Sequence, residues 1–184
     1  LLKVAKVRPG TAEAHALTML RQRPEHPYAN FIMGSIRLEQ GQYGDAETYL
    51  RRCTEGASPT LAALNNYAQA LCRIRRLEDA EKAARRAVER SPDRYEGWAT
   101  LAFVLAEKSD LDGASGALAK ARRVNSEDNR LFLVDALIAV KRKDAEAAEK
   151  ALSCIGAEAV RSVADRRQME DLRAAITRLR QGVP

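Results

Sequence analysis

Apolar residues recur along this chain at helical spacing, in pairs of segments that are each about a dozen residues long. In the clearest stretch, residues 61–94, they recur at i, i+3, i+4 and i+7, which predicts two amphipathic helices. A short polar turn at 73–76 separates the two segments. No stretch alternates at period two, and valine and isoleucine are sparse, so the pattern predicts an all-α protein.

The pattern repeats every 34 residues. When Leu61 is counted as position 1, small residues occupy positions 8, 20 and 27, where they allow two helix backbones to approach closely. In three successive units these residues are Gly34, Ala46 and Cys53, then Ala68, Ala80 and Ala87, then Ala102, Ala114 and Ala121. Gly41 permits a positive φ after a first helix, and Pro59 and Pro92 delay helices at the junctions.

This unit resembles the tetratricopeptide repeat, a 34-residue pair of antiparallel helices. The residues that carry the resemblance best are Trp98, Leu101, Gly34, Gly41, Tyr43, Ala46, Ala80, Ala87, Ala114, Ala121 and Pro92. The resemblance covers about residues 1–155. It implies a right-handed α-solenoid of stacked antiparallel helix pairs, with about four repeats and a C-terminal capping helix.

We predict a single domain over residues 1–184. It would contain a partial repeat at 1–26, repeats at 27–60, 61–94 and 95–128, a degenerate repeat at 129–155, and the capping helix at 156–184. The last segment places Met169, Leu172, Ile176 and Leu179 along one face. Because the rest of it is strongly polar, an alternative is that this helix docks on a partner or on a second copy of the chain.

The charge distribution and the length of apolar runs argue against two classes of function, nucleic-acid binding and membrane spanning. The net charge of +6 is a mild basic excess over mixed charges, so the sequence predicts no nucleic-acid partner. Arginine doublets fall late in the second helices, on the predicted convex side: Arg51 and Arg52, Arg85 and Arg86, Arg122 and Arg123. They would form a solvated face, or a ridge that contacts an acidic partner, lipid headgroups or phosphates. No apolar run is long enough to span a membrane.

No residue constellation for catalysis is evident. The three cysteines are an odd number without short spacing, which predicts free, buried or semi-buried thiols rather than a disulfide framework or a zinc site. His15 and His26 are isolated, and phosphate-loop and hydrolase motifs are absent from the sequence. We therefore predict a protein that is not an enzyme and has no cofactor. The free thiols favour the cytoplasm over the periplasm, and the arginine and alanine content indicates a bacterial source.

The family resemblance implies that first helices line a concave groove, with positions 2, 5, 9 and 12 on one stripe. The predicted partner-binding residues are Phe31, Ser35, Leu38, Asn65, Asn66, Gln69, Arg73, Phe103, Leu133 and Leu137. Amides can donate and accept together, and the apolar ends would take anchor side chains. The alternatives are solvation or contacts between adjacent helices for the amides, and cover by the C-terminal helix for Leu133 and Leu137.

The sequence thus predicts a non-catalytic scaffold that binds a peptide or helix of another protein. Two alternatives stay open. The segment would be a targeting or regulatory part of a larger bacterial enzyme or of a secretion or pilus assembly protein, because the chain begins without an initiating methionine. It would otherwise be a self-associating module that forms a homodimer.

Overall fold

A computed structural model describes residues 9–56, 58–156 and 162–182 of the chain. These residues form ten helices and no strand, which confirms the predicted all-α helical solenoid. In chain order the helices are α1 (Pro9–Gln22), α2 (Pro27–Glu39), α3 (Tyr43–Thr54), α4 (Leu61–Arg73), α5 (Leu77–Arg90), α6 (Tyr95–Glu107), α7 (Leu111–Val124), α8 (Asn129–Lys141), α9 (Ala145–Ser153) and α10 (Val163–Arg180).

The helices follow the 34-residue period of the sequence. The first helices α2, α4, α6 and α8 begin at Pro27, Leu61, Tyr95 and Asn129, and the second helices α3, α5, α7 and α9 begin at Tyr43, Leu77, Leu111 and Ala145. Each helix from α1 to α9 packs on its neighbour in sequence. In addition, α4 contacts α2 and α6, and α6 contacts α8. The first helices therefore form one continuous surface.

The same turn ends every first helix. The residue at position 15 has a positive φ in all four units: Gly41 (76°), Arg75 (64°), Ser109 (67°) and Lys143 (63°). The next residue donates its N–H to the carbonyl five residues earlier, as Gln42 does to Arg37 over 2.9 Å. This is the Schellman pattern of a helix C-terminus. Only the first of these turns carries glycine, so the other three hold strained backbone.

Small residues set the distance between paired helices. Seven alanines at the helix contacts have no exposed surface: Ala68, Ala80, Ala84, Ala87, Ala102, Ala114 and Ala121. At Gly34 a Cβ atom would lie 2.5 Å from Cγ of Leu50, which is closer than real Cβ contacts. The sequence pattern of small residues thus corresponds to close backbone approach.

The last helix extends from the last repeat back to α2. Helix α10 contacts α8 and α9, where Leu172 and Ile176 join the core that runs from α4 onward. Its start also contacts α2, and the N–H of Val163 donates to Oε2 of Glu39 over 3.1 Å. The sequence placed this segment over the last repeat alone. The contact with α2 is an addition that local periodicity did not predict.

Candidate partner-binding groove

The groove is the surface that α2, α4, α6 and α8 form together. At its centre lies a cavity that α10 closes on one side with Asp165 and Gln168. The other lining residues are Leu38, Tyr43, Gln69, Arg73, Glu96, Ala99, Thr100, Phe103, Arg130, Leu133 and Val134. The cavity volume is about 60 Å³, which has room for a few water molecules but not for a peptide. The first turns of α10 therefore lie across the predicted groove.

Arg73 lies at the centre of the groove between two aromatic rings. Its guanidinium carbon is 5.9 Å from the ring centroid of Tyr43 and 5.7 Å from that of Phe103. Cation–π contacts hold the planar face of the guanidinium and leave its N–H edge for hydrogen bonding. In the part of the chain that the structure describes, no carboxylate lies within ion-pair distance of Arg73. The groove thus presents a positioned cation.

A second cation, Arg130, is fixed at the α8 end of the groove. Asp128 is the N-cap of α8, and its Oδ1 accepts from N of Arg130 over 2.9 Å and from Nε over 3.0 Å. The hydroxyl of Tyr95 donates to Oδ2 of Asp128 over 2.6 Å. Burial would raise the pKa of Asp128, but the hydrogen bonds from Arg130 and Tyr95 outweigh it and lower the pKa to about 2. The ionised Asp128 therefore holds Arg130 in place.

Helix α10 brings a carboxylate into this site. Ser162 caps the helix by accepting the N–H of Asp165 over 3.1 Å, and the Asp165 side chain lines the cavity. Burial raises the pKa of Asp165, while the positive charge of Arg130 opposes the shift and the negative charges of Glu39 and Asp128 add to it. The ionised form of Asp165 is thus incompletely stabilised in the closed groove.

Five of the ten predicted partner-binding residues meet in the cavity: Leu38, Gln69, Arg73, Phe103 and Leu133. Phe31 lies instead in an apolar recess with Tyr28, Pro59 and Ala62, between the starts of α2 and α4. Leu137 belongs to the same buried core as Phe103 and Leu133 but does not line the cavity. The predicted residues therefore divide between the cavity, the recess and the interior.

The three remaining predicted residues differ in their hydrogen bonding. Asn66 donates from Nδ2 to Oγ of Ser35 over 3.0 Å, which joins α4 to α2. This contact corresponds to the alternative that the amides bind adjacent helices. Asn65 is 7% exposed, and its Oδ1 has no hydrogen-bond partner among the residues that the structure describes. Of the two asparagines, Asn65 is therefore the one whose buried side-chain oxygen has no described hydrogen-bond partner.

Some lining residues were not on the predicted list. Glu96 and Arg130 occupy position 2 of their units, on the predicted stripe, and that position was the signal for them. Asp165 and Gln168 carried no such signal, because the path of α10 across the groove is not encoded in helical periodicity.

The chain also carries three cysteines, none of which lines the cavity. All three are free; Cys53 and Cys72 are buried as predicted, whereas Cys154 is exposed and not semi-buried. Burial raises the pKa of the Cys53 thiol to about 11 and that of Cys72 to about 12. In the described segments, no cluster of three His, Cys, Asp or Glu side chains is arranged to bind a metal ion.

On the second helices, each doublet contains at least one arginine in an ion pair, and in the first doublet both are paired, since Nε of Arg52 lies 3.9 Å from Oε1 of Glu25. Arg51 contacts Glu55 over 2.9 Å, Arg85 contacts Glu81 over 2.7 Å, and Arg122 contacts Asp135. These pairs lower the cationic character of the convex side. Within the described ranges, every helix is too short or too polar to cross a membrane.

A sequence model of the family described as tetratricopeptide repeat matches residues 4–60 and 33–95, which together span half of the chain. The chain belongs to the tetratricopeptide repeat family. The family match confirms the resemblance that the 34-residue unit indicated. A tetratricopeptide array is the fold of a protein–protein interaction scaffold. A comparison with curated proteins gives no match.

Solved tetratricopeptide structures share this fold at low sequence identity. YrrB, described as a TPR protein with an unusual peptide-binding site, is 14% identical with a TM-score of 0.61, over 94% of this chain and 84% of that one. A thermophilic TPR protein from Thermus thermophilus, TTC0263, is 20% identical with a TM-score of 0.65, over 85% and 82%. MamA is 15% identical with a TM-score of 0.62, over 88% and 89%. Likeness at these identities extends to the fold alone.

Proposed function

We propose that this protein is a non-catalytic scaffold whose groove binds a helix or peptide of a partner protein. The observation that carries the proposal is the position of α10, whose first turns lie on the groove and line its cavity with Asp165 and Gln168. A surface that accepts one helical segment of the chain has the shape and the chemistry to accept another.

The composition of the groove supports this proposal. Leu38, Phe103 and Leu133 line the cavity and are only 7%, 7% and 2% exposed in the closed groove, so they would offer apolar surface to anchor side chains of a partner that replaces the first turns of α10. The amide of Gln69 can bind backbone groups of a ligand, and Arg73 supplies a cation that the two rings hold in place. The peptide-binding site attributed to YrrB is a precedent within the same fold.

Affinity capture from cells of the source organism, followed by mass spectrometry, tests the proposal. The bait would be the wild-type chain and the Gln69→Ala and Phe103→Ala variants, with Arg85→Ala as the control, since Arg85 lies on a second helix and is exposed. We expect partners that the wild type and the control retain and that the groove variants lose. Thermal melts would establish that Phe103→Ala remains folded, because Phe103 is 7% exposed.

A captured partner would then be titrated against each variant. We expect each groove substitution to weaken binding by about tenfold, the effect of removing a central interface contact. Unchanged affinity in Asn66→Ala, Gln69→Ala and Phe103→Ala together would exclude the groove as the binding surface.

Self-association is a second candidate, which the apolar recess favours. Tyr28 is 62% exposed there, beside Phe31 and Pro59. A second copy would cover these residues by packing its own α2 edge on them. Light scattering of the wild type and of Tyr28→Ser over a concentration series tests this candidate. A wild-type protein that stays monomeric at high concentration would exclude it.

A further inference from the structure

Two different sets of contacts hold the two halves of α10. In the second half, Leu172 and Ile176 are each 4% exposed and pack in the core beside α8 and α9. Arg180 adds an ion pair to Glu149 on α9. Burial of two large aliphatic side chains is a strong attachment. This half is therefore a fixed part of the domain.

The first turns of α10, residues 163–168, are attached through polar contacts near the turn between α2 and α3, whereas Met169 packs against the core together with the second half. The N–H of Val163 donates to Glu39, and Nη1 of Arg167 donates to the hydroxyl of Tyr43 over 3.0 Å. Both bonds are exposed to water. Exposed hydrogen bonds contribute little net free energy, because water replaces them when they break. The first turns are thus the weakly held part of the helix.

The first turns also present a specific charge to the groove. Asp165 and Gln168 line the cavity together with Arg73 and Arg130. Arg130 already shares its hydrogen bonds with Asp128, whereas Arg73 has only aromatic rings as described partners. Burial raises the pKa of Asp165, which is the behaviour of a carboxylate that is not fully neutralised. A better-placed carboxylate would therefore bind this site more tightly.

We propose that residues 163–168 are a releasable occupant of the groove, and that a partner helix with a carboxylate facing Arg73 and Arg130 replaces them. The second half of α10 stays on α8 and α9 during the exchange. This inference rests on the proposed function, since it names the closed state of the groove and the class of segment that opens it. The apparent affinity for the partner then equals the affinity of the open groove multiplied by the fraction of molecules in which the groove is open.

A synthetic peptide tests the exchange directly. The probe is a fluorescein-labelled peptide of residues 162–171 with Arg166→Lys, held helical by a lactam bridge between the amine of that lysine and the carboxyl of Glu170, two positions that are exposed in α10. Fluorescence anisotropy would measure its binding to three full-length proteins. These are the wild type, a released variant with Asp165→Ala, Arg167→Ala and Gln168→Ala, and a control with Arg166→Ala and Arg178→Ala, two exposed arginines of the same helix.

We expect the released variant to bind the probe about tenfold or more tightly than the wild type and the control, because its groove is open. A probe with Asp165→Asn should bind the released variant more weakly than the original probe. Equal affinity of the released variant and the wild type would show that α10 does not block the groove. Equal affinity of the two probes would show that the site does not recognise the carboxylate. Absence of binding to the released variant would overturn both parts of the proposal.

Hydrogen exchange of the wild-type protein provides a second measurement that needs no variant. Amides of residues 166–168 should exchange faster than those of residues 173–178, because the first turns open while the second half stays packed. Equal protection of the two segments would contradict the proposal. If either test fails while a captured partner still depends on Gln69 and Phe103, the inference falls and the proposed function stands.

Discussion

Arg167 of the last helix donates a hydrogen bond from Nη1 to the hydroxyl of Tyr43, which begins α3 and lies 124 residues earlier in the chain. The bond connects the last repeat to the α2–α3 turn, because α10 packs on α8 and α9 and its first residues contact α2. The same tyrosine ring lies 5.9 Å from the guanidinium carbon of Arg73. Tyr43 therefore connects the closing helix to the central cation of the groove.

The Tyr43→Phe substitution separates these two roles. Phenylalanine keeps the ring beside Arg73 and removes only the hydroxyl that Arg167 binds. We expect the urea midpoint of the whole domain to stay at its wild-type value, since the lost bond is exposed, while amides of residues 166–168 exchange faster. Arg166→Ala on the same helix is the control and should leave exchange unchanged. A lowered urea midpoint without faster exchange would show that the bond is structural.

The two asparagines of α4 should respond in opposite ways. Asn66→Ala removes the bond to Ser35 and should lower the free energy of unfolding by about 1 kcal/mol. Asn65→Leu removes a buried oxygen that has no described hydrogen-bond partner, so stability should be unchanged or higher. Urea denaturation of both variants checks this pair. A clear loss of stability in Asn65→Leu would indicate that the Asn65 amide has a structural role.

Glycine at the strained turns should stabilise the domain. Ser109 and Lys143 have φ values of 67° and 63°, a region that glycine adopts without steric cost. Ser109→Gly and Lys143→Gly should each raise the free energy of unfolding by about 0.5–1 kcal/mol. Ala119→Gly, at an exposed position of α7, is the matched control and should lower it by about 1 kcal/mol. Thermal melts would record all three, and a lower melting temperature in both turn variants would contradict the strain.

Asp128 should make stability depend on pH. Its pKa is lowered to about 2 in the folded chain, so its contribution is complete above pH 4 and is lost as the pH falls through 2. Asparagine is an equally good N-cap but does not titrate. The free energy of unfolding of the wild type should therefore exceed that of Asp128→Asn by about 1 kcal/mol at pH 5, since solvent screens this partly exposed group, and the difference should approach zero below pH 2. Urea titrations across this range provide the measurement, and a pH-independent difference would contradict it.

The three cysteines should differ in reactivity. Cys154 is exposed, while burial raises the pKa of Cys53 to about 11 and that of Cys72 to about 12. At neutral pH iodoacetamide should alkylate Cys154 alone in the native protein, because the thiolate is the nucleophile. All three should react in urea. Peptide mass spectrometry would locate the label, and modification of Cys72 in the native state would mean that α4 opens locally.

The period of the sequence determined most of the fold. Small residues at fixed positions and apolar residues at helical spacing specify where helices begin and which neighbours they contact, since these are interactions between residues close in sequence. The first helices accordingly begin at Pro27, Leu61, Tyr95 and Asn129, one period apart. Five of the predicted groove residues share one cavity for the same reason.

Only the tertiary structure decided how the groove is closed. The curvature of the stacked repeats brings Glu39 and Tyr43 within reach of a helix anchored on α8 and α9, and a few weak polar bonds then select its path. The same packing decided that Asn66 binds Ser35 while Asn65 keeps a free oxygen. Such choices depend on distances between residues far apart in sequence, which a local pattern of apolar and polar positions does not encode.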